Sequence, residues 1–142
     1  MRAFTAKDAD FLEEARLKDF SDCWKKEDIL KALASGELFG FIEEVNGETA
    51  AAVIFERSYE NADLEDIYVA EKFRKRGVAY GLLQNAFKEL FLTGVQKVFL
   101  EVREGNLPAR ALYEKAGFTP ISVRKKYYGE ENAVIYLKEI EL

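Results

Sequence analysis

Two features of the sequence have residue types and spacing suited to chemistry, and the first is the turn RKRGVA at 74–79. The turn precedes an amphipathic segment. The first N–H groups of a helix have no intrahelical partner, and the helix dipole adds partial positive charge there. Gly77 allows a ligand to approach the main chain, and the small Ala79 leaves the first turn open. The segment is therefore suited to an anion such as a pyrophosphate, although a solvated connection has the same composition.

The second feature is a carboxylate followed by a phenol. Glu101 stands in the otherwise apolar stretch VFLEV, where an unpartnered charge is costly to bury, and Tyr113 follows in the next predicted helix. A carboxylate and a phenol can act as general base and general acid in one reaction. The same residues are also typical of a solvent-facing edge charge and of a core tyrosine with an exposed hydroxyl, and the residues alone favour that interpretation.

The composition limits the chemistry. The chain of 142 residues contains no histidine and one cysteine, Cys23. Ser-His-Asp and Cys-His catalysis, an internal disulfide and most transition-metal sites are therefore excluded, and no metal is expected.

The net charge of −5 argues against a nucleic-acid partner. No apolar run approaches the roughly 20 residues of a membrane span, and the N-terminus lacks a signal-peptide pattern, so a cytoplasmic protein is expected.

A hairpin and a long helix are the clearest elements in the pattern. Asn46-Gly47 separates the extended stretches Leu38–Val45 and 49–58. This dipeptide favours a type I′ turn, because both central residues of that turn need positive φ. Apolar residues at helical spacing over 77–92 predict a long helix with one buried face.

Shorter elements complete a single predicted domain that covers residues 1–142. Strands are predicted at 2–4, 64–70, Lys97–Arg103, 118–127 and 133–141, and helices after an N-cap at Thr5, at 25–34 and after an N-cap at Asn106. No linker, repeat or low-complexity tract divides the chain. Hairpins combined with a strand–helix–strand–helix unit predict an α/β domain with a mixed sheet.

The order of these elements resembles the GNAT acetyltransferase family. A strand, the pattern Arg-x-x-Gly-x-Ala, a long amphipathic helix and a strand ending in Leu-Glu-Val-Arg are followed by Asn106, a helix with Ala-Leu-Tyr, and Gly-Phe. The resemblance covers about residues 64–118. The tracts LEVREGNLPARALYEKAGF and RKKYYGEENAVIYL are most similar to the RimI branch of the family, whose members acetylate the N-terminal alanine of a ribosomal protein.

The resemblance implies a fold and a cofactor. The fold would be a single-domain GNAT fold, with a mixed, mostly antiparallel central sheet of about six or seven strands flanked by about four helices. The cofactor would be acetyl-coenzyme A (acetyl-CoA), held between two diverging strands. By the same resemblance, the cofactor-binding residues belong to one strand, the turn, the helix after it and the next N-cap: Ile67, Tyr68, Val69, Arg74, Lys75, Arg76, Gly77, Val78, Ala79, Tyr80 and Asn106.

The resemblance also implies a reaction. Glu101 would be the general base, directly or through water, and Tyr113 would protonate the leaving thiolate. The acceptor would be the N-terminal amine of a protein or peptide, for example a ribosomal protein. No nucleic-acid or membrane partner is expected, and the enzyme would be a monomer or weak dimer. Two other functions stay open at this point: acetylation of a small amine such as a polyamine or aminoglycoside, and a non-catalytic acyl-CoA-binding module that regulates a partner.

Overall fold

A single mixed sheet organises the chain in the computed structural model, which describes residues 1–19 and 25–141; Cys23 lies outside that part. The described elements are β1 Arg2–Ala3, α1 Ala9–Asp19, α2 Lys26–Ser35, β2 Leu38–Val45, β3 Glu48–Ser58, β4 Asn61–Val69, α3 Val78–Leu92, β5 Lys97–Arg103, α4 Leu107–Lys115, β6 Thr119–Tyr128 and β7 Glu131–Glu139. The strand order is β1-β2-β3-β4-β5-β7-β6. Only β4 and β5 are parallel among these neighbours, which confirms the predicted mixed, mostly antiparallel sheet.

Two tight turns connect the first long strands. Asn46 and Gly47 join β2 to β3 with φ values of 53° and 77°, which confirms the predicted hairpin. A second turn joins β3 to β4 at Tyr59, whose φ is also positive at 56°. Strand β4 therefore begins at Asn61, and the predicted start at residue 64 is wrong. A tyrosine supplies the left-handed conformation here, so the sequence contains no glycine to mark the turn.

Apolar side chains cover both faces of the sheet. Leu82 of α3 packs with Val53 of β3 on one face, which α4 also covers. Leu12 of α1 and Ile29 of α2 pack against Ile54 of β3 on the other face. Burying a side chain of this size stabilises the fold by about 1.5–3 kcal/mol, so both helical layers hold the sheet. None of the helices within residues 1–19 and 25–141 has the length and apolar character to span a bilayer.

Candidate active site

Strands β4 and β5 separate along their length. Their parallel pairing ends at Asp63 and Phe99. In β4, Leu64 and Asp66 lie opposite consecutive residues of β3, so Glu65 is an extra, bulged residue. A bulge bends its strand and increases the local twist. Strand β4 therefore turns away from β5 directly after their last pair, which opens the gap that the resemblance implied.

The gap exposes main-chain groups of β4. The Ala70 N–H donates to the Ala50 carbonyl at 2.8 Å and therefore points towards β3. Successive residues of a strand direct their N–H groups to opposite edges, so those of Ile67 and Val69 point into the gap. The Val69 carbonyl has the same direction, because the N–H and C=O of one strand residue point to the same edge, and it accepts a 2.9 Å hydrogen bond from Arg74 Nε. A strand edge of this kind offers donors and acceptors to the amide groups of a ligand.

The turn before α3 presents further N–H groups. Lys75 and Gly77 are both left-handed there, with φ values of 63° and 77°. The Gly81 N–H makes a 3.0 Å bond to the Gly77 carbonyl, and within the described residues no side chain caps the helix. The N–H groups of residues 78–80 therefore have no intrahelical acceptor, and with the helix dipole they form an anion site. A Cβ built on Gly77 would meet no atom within 4 Å, so the space beside the turn is open.

A cleft of about 320 Å³ connects this turn to α4. Its walls come from the end of β4, the turn, the first turn of α3 and one side of α4: Val69, Phe73, Arg74, Lys75, Gly77, Val78, Ala79, Tyr80, Pro108, Leu112 and Lys115. Seven of the eleven predicted cofactor-binding residues are thus brought together. Sequence reasoning missed the contributions of Phe73 and α4, because only the tertiary fold brings them to the turn.

The other four predicted residues do not line this cleft. The side chain of Ile67 packs against the core beneath α3, so only its main chain faces the gap. The ring of Tyr68 packs on α1, on the opposite face. Arg76 lines a neighbouring depression beside the β2–β3 hairpin. Asn106 begins α4, since its Oδ1 accepts a 3.3 Å hydrogen bond from a main-chain N–H of that helix.

Glu101 lies on the face of the sheet opposite α3 and α4. Its neighbours Leu100 and Val102 are buried beneath those helices, so the alternation of strand side chains places Glu101 on the other face. Its side chain is 30% exposed and forms a 2.9 Å ion pair with Arg124 of β6. This pair spans β7, which lies between β5 and β6. The carboxylate is therefore accessible to solvent and also held by a cation.

Tyr113 lies on the opposite side of the sheet. It belongs to α4 and is 8% exposed. Its ring centroid is 5.9 Å from that of Phe118 and 6.3 Å from that of Tyr136. Helix α4 lines the cleft through Pro108, Leu112 and Lys115, and Tyr113 is buried in the core on the same side of the sheet. Glu101 is reached from the other face.

A group of carboxylates shares the face of Glu101. Ile54 packs beneath α1 and α2, so Glu56, two residues further along β3, lies on the same face, and Asp63 is paired directly opposite it. Burial, together with a hydrogen bond to Glu56, raises the pKa of Glu65 to about 7. Burial also raises the pKa of Asp63. Sequence reasoning missed this group, because two strands and a bulge are needed to bring it together.

The match to a known family agrees with this arrangement. Residues 8–118 match the Acetyltransferase (GNAT) family, and this stretch includes the gap, the turn, Glu101 and Tyr113. The chain belongs to this family and is an N-acetyltransferase. Enzymes of the family use acetyl-CoA as their acyl donor.

Known proteins of similar sequence and structure refine the comparison. The ribosomal protein bS18-alanine N-acetyltransferase of Escherichia coli K12 is 36% identical over 101 residues, 68% of each chain. The crystal structure of the ribosomal-protein-S18-alanine N-acetyltransferase from Escherichia coli has a TM-score of 0.83 at 28% identity, covering 99% of this chain and 92% of that one. The F149A mutant of spermidine N-acetyltransferase SpeG from Vibrio cholerae has a TM-score of 0.86 at 18% identity, covering 97% and 93%. The likeness to the RimI branch is confirmed, whereas the spermidine enzyme shows a shared fold alone.

Proposed function

We propose that the chain transfers the acetyl group of acetyl-CoA directly to the N-terminal α-amino group of a protein, with Glu101 as the base and Tyr113 as the acid. The observation that carries this proposal is the gap between β4 and β5. It has an anion-binding turn at one end, and the proposed base and acid lie on opposite faces of the sheet around it. Donor and acceptor can therefore meet in the gap from two sides.

The residues around the gap fit acetyl-CoA. The N–H groups of residues 78–80 and the open space beside Gly77 suit a diphosphate. Lys75 in the wall of the cleft adds positive charge. The main-chain groups of Ile67 and Val69 match the amide groups of the pantetheine arm, in the way that one strand edge matches another.

Two proton transfers assign roles to the chain's own residues. Bound acetyl-CoA supplies an activated thioester. An α-amino group has a pKa near 7.7–8.0, so near neutral pH it must lose a proton before it attacks. The Glu101 carboxylate, held by Arg124 on the accessible face, accepts that proton. Tyr113, on the helix that also lines the cleft, gives its hydroxyl proton to the departing sulfur, since an ordinary thiol has a pKa near 8.5 and gains from protonation.

A protein N-terminus as acceptor is supported by sequence relatives and by shape. The relative at 36% identity is named as an enzyme that acetylates the alanine of ribosomal protein bS18. The face around Glu101 also has room for a polypeptide, because Glu101 and Arg103 are exposed along β5. An N-terminal segment can then extend over the sheet while its amine reaches the gap.

A small polyamine is the second candidate acceptor. The carboxylates of Glu56, Asp63 and Glu65 lie on the same face as Glu101 and would attract a molecule with several positive charges. The fold is also shared with a spermidine N-acetyltransferase. Charge complementarity favours the polyamine, whereas the 36% sequence identity to an enzyme named for a protein acceptor favours the protein N-terminus.

Binding and turnover experiments test the proposal. Acetyl-CoA affinity is measured by isothermal titration, and thiol release is followed with peptides beginning Ala-Arg and with a panel of spermidine, spermine and aminoglycosides. We expect kcat/KM to be at least about tenfold higher for the peptides than for any small amine. Turnover of small amines alone would replace the protein acceptor with the second candidate. Tight binding without any turnover would indicate a non-catalytic module, and the absence of binding would overturn every version of the proposal.

A further inference from the structure

The hydroxyl of Tyr136 lies between two charged side chains of α4. Tyr136 belongs to β7 and is fully buried. Arg110 Nε donates to its oxygen at 3.0 Å, and the hydroxyl donates to Glu114 Oε2 at 2.6 Å. Hydrogen bonds with an ionised partner are roughly twice as strong as neutral ones. The hydroxyl is therefore firmly held, once as an acceptor and once as a donor.

This hydroxyl connects α4 to β7, which lies between β5 and β6. Arg110 and Glu114 are four positions apart on α4 and so share one face of the helix. Arg110 Nη1 also donates to the carbonyl of Glu104, just before the helix, at 2.9 Å. Tyr136 itself lies opposite Leu100 of β5, the strand that carries the proposed base. The network therefore fixes the rotation and the height of α4 relative to that strand.

The position of Tyr113 depends on this network. Tyr113 directly precedes Glu114, and its ring centroid is 6.3 Å from that of Tyr136, with the two rings inclined by 57°. Side chains reach about 5–6 Å from a helix axis, so a rotation of about 10° displaces their outer atoms by about 1 Å. A misplacement of about 1 Å can reduce an enzymatic rate about 100-fold. A small loss of register in α4 would therefore be visible in catalysis.

We propose that Tyr136 is a positioning residue for Tyr113: its hydroxyl holds Arg110 and Glu114 so that the Tyr113 phenol stays where it can donate a proton. The inference rests on the proposed function, which makes Tyr113 the acid. Burial, helped by the Glu114 carboxylate, raises the pKa of Tyr136 and outweighs the opposite effect of Arg110. Tyr136 therefore keeps the proton that it donates to Glu114 throughout the range in which an amine acceptor reacts.

A double-mutant cycle between Tyr136→Phe and Tyr113→Phe tests the inference. The rate constant kcat is measured with a peptide beginning Ala-Arg and, independently of any acceptor, as acetyl-CoA hydrolysis; titration gives the Kd for acetyl-CoA. We expect Tyr136→Phe to lower kcat about tenfold in the wild-type background and to leave Kd within about twofold. We expect no further loss when residue 113 is already phenylalanine, because two residues that act through one function are not additive.

A matched pair at Glu114 makes the test independent of the buried substitution. Glu114 is exposed, so its variants should fold even if Tyr136→Phe does not. Glu114→Gln keeps an oxygen that accepts from the Tyr136 hydroxyl, whereas Glu114→Leu removes it. We expect Glu114→Gln to keep most of the rate and Glu114→Leu to show the loss of about tenfold, again only when Tyr113 is present.

The outcomes distinguish the positioning role of Tyr136 from the proposed role of Tyr113 as the acid. An unchanged rate in Tyr136→Phe and Glu114→Leu overturns the positioning role and leaves the acid assignment standing. An equal fold-loss with and without the Tyr113 hydroxyl has the same meaning, since the effect then does not pass through Tyr113. A Tyr113→Phe variant with the wild-type rate overturns the acid assignment itself, and the inference falls with it.

Discussion

The Arg124 guanidinium lies 2.9 Å from the Glu101 carboxylate, although the strands of these two residues are separated by β7. The side chains are 49% and 30% exposed. An ion pair with this exposure stabilises a protein by about 0–1 kcal/mol. The ammonium group of an acceptor can therefore replace Arg124 at little cost. The pair holds the carboxylate on the accessible face and is compatible with its proposed use as a base.

Replacement of Glu101 by glutamine tests the base assignment. We expect Glu101→Gln to lower kcat at least about 100-fold, because an amide cannot take the proton of the attacking amine. The affinity for acetyl-CoA should not change, since Glu101 lies on the face opposite the cleft. The measurements are kcat and the acetyl-CoA Kd between about pH 6 and 9.

Arg124→Gln is the matched control for this experiment. It removes the cation and keeps the carboxylate, so the expected loss of rate is less than about tenfold, in line with the small energy of an exposed pair. A Glu101→Gln variant with the wild-type rate over the whole pH range would mean that the base lies elsewhere.

Substitution of Gly77 tests the anion-binding turn. Gly77 and Gly47 both have a φ of 77°, and a Cβ on either would meet no atom within 4 Å. Alanine in the left-handed region is strained by about 1–2 kcal/mol, so Gly77→Ala and Gly47→Ala should lose similar stability in urea denaturation. Only Gly77→Ala should also weaken acetyl-CoA binding, by about tenfold or more, because its methyl group occupies the space proposed for the diphosphate. Equal weakening in both variants would assign the effect to general destabilisation.

Removal of the Tyr113 hydroxyl tests the acid assignment. We expect Tyr113→Phe to lower kcat about 100-fold, because the departing sulfur then lacks a proton donor. The ring contacts with Phe118 and Tyr136 remain, so the free energy of unfolding, measured by thermal denaturation, should change by no more than about 1.5 kcal/mol. A loss of acetyl-CoA affinity with kcat unchanged would instead make Tyr113 a binding residue.

The first hairpin, the turn before α3 and α3 itself could be predicted because local signals define them. Asn46-Gly47 marks a hairpin through the conformation that its two residues tolerate. Gly77 and the apolar spacing after it mark the turn and α3 in the same way. The relative positions of these signals along the chain carried the likeness to the GNAT family, and the match over residues 8–118 confirmed it.

Contacts between distant segments could not be predicted from the sequence. The partner of Glu101 is Arg124, which reaches it across an intervening strand. The bulge at Glu65 follows from the register of β3 and β4, and no glycine or proline marks it. The bonds of Tyr136 to α4 depend likewise on how that helix packs on the sheet. Periodicity shows which side of an element is buried, and it does not show which polar groups meet there.

The raised pKa of Glu65 predicts that the free energy of unfolding depends on pH in an unusual direction. Its pKa is raised from 4.5 to about 7, first by burial and then by its contact with Glu56. Between these two values the folded protein binds more protons at this residue than the unfolded chain does, so the free energy of unfolding falls as the pH rises. The full shift corresponds to about 3 kcal/mol. Glu65 is only half-buried, so solvent screening reduces the expected effect to about 1 kcal/mol.

Glu65→Gln should remove this dependence. The neutral amide can still donate a hydrogen bond to Glu56, as the protonated carboxyl group does. We therefore expect the variant to be about 1 kcal/mol more stable than the wild type at about pH 8, with little difference near pH 4.5, as measured by urea denaturation. Glu130→Gln, at an exposed position in the β6–β7 turn, is the control and should have the same small effect at both pH values. A Glu65→Gln variant that is less stable than the wild type at about pH 8 would show that the Glu65 carboxylate is favourably paired in the folded protein, contrary to the environment that β3 and β4 give it.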